Sequence, residues 1–176
     1  MHNFLIINAA GQYQSEILNE LSRACTQCGC NILTSKMNVL GREIIITLFV
    51  SGNWGAIAKM EAALPSLEQR LGLTLMARRT SESLPNYNSM SYTIQVQAID
   101  KPGILNGISE LLHRLSIPIE EMSAHTYLSH TNTRMTSLTF KINVPEGTHL
   151  ASLRERFMAY CDDQNLEVFL EPSRST

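Results

Sequence analysis

A helical stripe occurs twice in this chain. Ile17, Leu18, Leu21, Ala24, Cys25 and Cys28 recur at the 3.6-residue period, and Ile104, Leu105, Ile108, Leu111, Leu112 and Leu115 repeat that spacing 87 positions later. The register holds beyond the stripe, because "CNIL" at 30–33 falls on "IPIE" at 117–120. Self-similarity over such a length commits the chain to two copies of one folding unit.

The flanks of the two stripes define that unit. "YTIQVQAI" from 92 alternates apolar and polar residues, as a half-buried strand does, and "FLIIN" precedes the first stripe. Each stripe is followed by two extended runs suited to a hairpin: 32–39 with 44–50, joined by "LGRE" at 40–43, and 119–128 with 138–144, joined by 129–137. A second helical pattern comes next, carried by Trp54, Ile57, Met60 and Leu64 in one half. In the other half Leu150, Leu153, Phe157, Tyr160 and Cys161 carry it. "LTLMAR" from 73 and "LEVFL" from 166 close the halves as strands. The predicted fold is therefore α+β, two tandem ferredoxin-like βαββαβ domains at 1–80 and 92–176. The polar, proline-bearing stretch 81–91 reads as the linker.

Charge narrows the partners. With 14 Lys plus Arg against 16 Asp plus Glu, the net charge of −2 offers no strong field to nucleic acid or anionic lipid. Neither direct nucleic-acid binding nor membrane binding is expected. "FKINV" and "IIITLFV" also read as lacking the stacking aromatics of RNA-recognition sheets. The first residues have no basic region and too short an apolar run for a signal peptide, so a cytoplasmic location is expected.

Catalysis finds no carrier. "CTQCGC" at 25–30 has metal-like spacing, yet Cys25, Cys28 and Cys30 align with Leu112, Leu115 and Ile117, which marks them as packing residues rather than ligands. His113, His125, His130 and His149 are scattered, and Glu120 and Glu121 are adjacent on a strand, where they face opposite sides. Trp54 begins a helical stripe and reads as core. No nucleotide-binding, hydrolase or metalloprotease motif is present, so no enzyme activity, cofactor or metal is expected.

"DKPG" at 100–103 is the remaining signal. Asp100 can cap the following helix, Pro102 suits a first turn, and Gly103 leaves the backbone bare. Free amides at a helix start suit a carboxylate, and Asp100 suits an ammonium, which together describe an α-amino acid. The alternative is a tight strand-to-helix turn with no ligand.

"DKPGIL" at the first strand–helix junction of a βαββαβ unit resembles the signature of ACT domains, small amino-acid-binding regulatory modules. "CGCNI" at 28–32, the run at 40–65 containing "SGNW", and "RRT" at 78–80 are similar to tandem-ACT repressors of glycine cleavage genes. That resemblance implies a non-catalytic repressor acting by contact with a LysR-type transcriptional activator and relieved by glycine. It also implies ligand contacts from Asp100, Lys101, Pro102, Gly103 and Ile104, with Asn31 at a second-strand start and a homodimer as one assembly. The alternative is a regulatory subunit of an amino-acid or folate enzyme. In the first repeat Tyr13, Gln14, Ser15 and Glu16 replace the loop, so the two repeats are expected to bind ligand unequally. If second strands pair antiparallel, loop 100–103 would meet Asn31, and loop 13–16 would meet Pro118.

Overall fold

The computed structural model of the chain describes residues 3–81 and 89–173. The chain divides into two compact units, Met1–Leu84 and Pro85–Thr176. In the first, β1 (Asn3–Gln12), α1 (Ile17–Cys28), β2 (Asn31–Leu40), β3 (Glu43–Gly52), α2 (Trp54–Leu71) and β4 (Leu73–Thr80) follow one another. The strands form an antiparallel sheet in the order β2-β3-β1-β4. The second unit repeats this with β5 (Ser89–Ile99), α3 (Ile104–Arg114), β6 (Ile119–Leu128), β7 (Arg134–Pro145), α4 (Leu150–Asp163) and β8 (Glu167–Pro172), ordered β6-β7-β5-β8. Both units are ferredoxin-like α+β folds.

Period decides what each core contains. Leu5, Ile7 and Ala9 alternate along β1 and are buried, while α1 covers them with Ile17, Leu21, Ala24 and Cys25. α2 completes this core with Ile57, Met60 and Leu64. The second core joins Ile94 and Val96 of β5 to Ile108 and Leu112 of α3 and to Leu153, Phe157 and Cys161 of α4.

The duplication extends to the backbone. Gly29 follows α1 at φ +81, and its counterpart Ser116 follows α3 at φ +56. Cys30 N donates to Cys25 O at 2.9 Å, as Ile117 N donates to Leu112 O at 3.0 Å. A β-bulge between Ile32 and Thr34 recurs between Ile119 and Glu121.

Several expectations need correction. Trp54 is 67% exposed, because it occupies the first position of α2, before the helix lies over the sheet. Leu18 and Leu105, aligned with each other, are 40% and 38% exposed and lie at the rim of their stripes. β5 starts at Ser89, inside the stretch read as linker, because Ser89, Met90 and Ser91 pair with Pro145, Val144 and Asn143 of β7. Residues 82–88 of that stretch lie outside the described residues. β7 starts at Arg134, since a five-residue turn suffices; Ser129 Oγ holds it by accepting from Thr133 N at 3.1 Å. Stacked aromatics are present too: Phe4 of β1 and Phe49 of β3 have ring centroids 5.6 Å apart on the sheet face opposite the helices.

Candidate ligand-binding loop

Gly103, not Asp100, occupies the N-cap of α3. Its φ of +94 lies in the left-handed region open to glycine, and no side chain caps the helix. Asp100 sits three residues earlier with its backbone N–H given to Arg134 O at 2.9 Å, and Pro102 lies in the turn before the helix. The first intrahelical bond runs from Gly107 N to Gly103 O at 2.9 Å. The amides of Ile104, Leu105 and Asn106 precede that bond, so they are the donors a helix start offers to an anion.

Lys101 has a partner that sequence reasoning missed. Its ammonium donates to Gln164 O, the C-cap carbonyl of α4, at 3.1 Å, which sets a cation at the negative end of that helix. Loop residues 101–104 and Tyr160, Gln164 and Leu166 line a cleft of 110 Å³. Tyr160 reaches over Gly107, where an added Cβ would run into its hydroxyl. A glycine in a helix interior was the sequence signal for that close approach. Asp100, Lys101, Pro102 and Gly103 are exposed, and Ile104 is buried. Asn31 belongs to the other unit, where it opens β2 opposite Ser51 and is exposed.

The first unit builds the same loop with different chemistry. Tyr13 N donates to Arg42 O at 2.9 Å, the counterpart of the Asp100–Arg134 bond. Glu16 caps α1 in place of Gly103, with φ −81 and no side-chain cap bond. A carboxylate therefore stands where the second unit has a bare glycine, and it repels an anion there.

The cysteine cluster is apolar in character. Cys25 and Cys30 are buried and Cys28 packs against the same core. Burial, with Cys30 and Cys28 adding to it, pushes the Cys25 thiol up from 9.0 to about 11, and burial pushes Cys161 up to about 11 as well. Among the described residues, no group of three His, Cys, Asp or Glu side chains is arranged to hold a metal. A thiol whose value is raised on folding stabilises fully below the unfolded value and loses that contribution as pH rises through the folded one. Urea midpoints are therefore expected to fall between pH 9.0 and about 11, and less steeply in a Cys25→Val, Cys161→Val variant. Equal slopes in both proteins would contradict this assignment.

Residues 3–78 match the ACT domain model, which places the first unit in the ACT domain family. The second unit repeats that fold, so the chain carries the fold twice in tandem. The match falls on the repeat whose loop lacks D-x-P-G. Over 167 residues the chain is 28% identical to the glycine cleavage system transcriptional repressor of Escherichia coli (strain K12), covering 94% of this chain and 87% of the relative. The repressor of the same name from Shigella flexneri matches equally. A crystal structure provisionally named as such a repressor superposes with a TM-score of 0.75 at 28% identity, covering 99% of each chain. A Galdieria sulphuraria protein of unknown function shares the fold, with a TM-score of 0.79 at 18% identity over 99% of this chain and 100% of its own. Among the described residues, no helix is long and apolar enough to cross a membrane.

Proposed function

We propose that this chain is a non-catalytic, amino-acid-sensing regulator that represses glycine cleavage genes by contacting a LysR-type activator in the cytoplasm, with glycine relieving the repression. The observation that carries this reading is the similarity to glycine cleavage repressors along 94% of the chain. The bare start of α3 supports the ligand half of it. There Gly103 and the first amides of the helix suit a carboxylate, Asp100 suits an ammonium, and Pro102 and Ile104 shape the loop. In this reading Lys101 steadies the loop through α4.

A tagged chain is expected to retain the LysR-type activator of the glycine cleavage genes on a column and to release it on addition of glycine. The purified chain alone is expected to give no sequence-specific gel shift at physiological salt, as its net charge of −2 implies. A tight specific shift without the activator, or retention indifferent to glycine, would overturn this reading.

A further inference from the structure

We infer that the first unit carries a second ligand site, for a small polyvalent oxyanion, in the groove between α1 and α2. The groove measures 500 Å³, within the range of small-molecule sites, and Glu20, Arg23, Gln27, Cys28, Ser66 and Arg70 are among the residues lining it. Arg23 Nη1 donates to Glu20 Oε1 at 2.6 Å and Arg70 Nη1 donates to Glu20 Oε2 at 2.9 Å. Two guanidinium groups thus converge on one carboxylate, leaving one positive charge uncompensated. The side chain of Glu20 is only 17% exposed, whereas those of Arg23 and Arg70 are 54% and 57% exposed. A guanidinium has five N–H donors in a planar fork, so each arginine keeps donors to offer to an oxyanion beyond those given to Glu20. The amide of Gln27 and the hydroxyl of Ser66 add neutral donors to the same lining.

The second unit serves as an internal control. On the 87-residue offset Glu20 becomes Gly107 and Arg23 becomes Glu110. The 93-residue offset that carries Gly72 onto Asn165, both at positive φ, turns Arg70 into Asp163. At this crossing Tyr160 packs on Gly107, and the two arginine positions hold carboxylates. The same fold therefore forms without the ion-paired trio. Exposed ion pairs contribute little to stability, so fastening the two helices does not by itself account for the trio.

Cys28 provides the readout, because it lines the groove and is half-buried while Cys25, Cys30 and Cys161 are buried. The whole chain is treated with iodoacetamide, and the rate of Cys28 alkylation is followed by peptide mass spectrometry with citrate or inorganic phosphate at constant ionic strength. Saturable protection by at least one of the two anions is expected at concentrations below about 10 mM. Arg70→Ala is expected to raise the half-protecting concentration at least about tenfold, and Glu20→Gln to lower it about three- to tenfold by removing the competing carboxylate. A structural clasp gives a different pattern, since both substitutions would then loosen the helices in the same direction. Should Arg70→Ala fail to fold, Glu20→Gln remains decisive. No protection by either anion, or the same half-protecting concentration in Glu20→Gln as in the parent, overturns the site.

Discussion

Phe157→Ala is expected to destabilise the second unit by about 3–5 kcal/mol, the cost of emptying a well-packed aromatic site. Phe157 is 1% exposed and belongs to the core built from β5, β7, α3 and α4. Its neighbour Met158 is 36% exposed on the same helix, and Met158→Ala is expected to stay within about 0.5 kcal/mol. Denaturant unfolding with hydrogen exchange over α4 and β5 measures both. Equal effects at the two positions would mean that α4 packs by another face.

Asp100→Ala is expected to weaken glycine binding roughly ten- to a hundred-fold, from the loss of a charged hydrogen-bonding partner worth about 1.5–3 kcal/mol. Tyr13→Ala, in the altered loop of the first repeat, is expected to change it little. Asp100 is exposed and makes no cap bond to α3, so the same variant is expected to keep its melting temperature. That separation distinguishes a ligand contact from a folding role. Titration calorimetry with glycine, paired with thermal unfolding, measures both quantities. Undiminished binding in Asp100→Ala, or two equal sites per chain, would refute the unequal-repeat reading.

The fold was legible because two periods carry it. Alternation places Leu5, Ile7 and Ala9 on one face, and the helical stripe places Ile17, Leu21 and Cys25 against them. Period alone does not tell where a helix begins to cover the sheet, so Trp54 joined a stripe whose core it never enters. Polar Arg134 and Ser137 hid the early start of β7, which rests on ladder bonds rather than on apolar alternation. At the loop, the residue types of "DKPG" were legible but their roles were not. A positive φ at Gly103 moves the cap off Asp100, and the Lys101–Gln164 contact joins residues 63 positions apart. Glu20 and Arg70, 50 apart in sequence, were invisible for the same reason.

The bulges at Leu33 and Glu120 set a rule for how each copy can change in length. Beyond the bulge, Ser35, Met37 and Val39 of β2 lie opposite the buried Leu48, Ile46 and Ile44, while Thr34, Lys36 and Asn38 alternate with them. Deleting Leu33, the residue the ladder skips, would remove the bulge and keep those pairs on their faces, whereas deleting a further residue there would exchange the two sets. The hairpin end obeys no such arithmetic: its turn is two residues between Leu40 and Glu43 and five between Leu128 and Arg134, with the ladders intact. Divergence between the copies has therefore accumulated at the turn, where added length is harmless. At the bulge a single residue is spare, and losing a second is a frameshift in three dimensions.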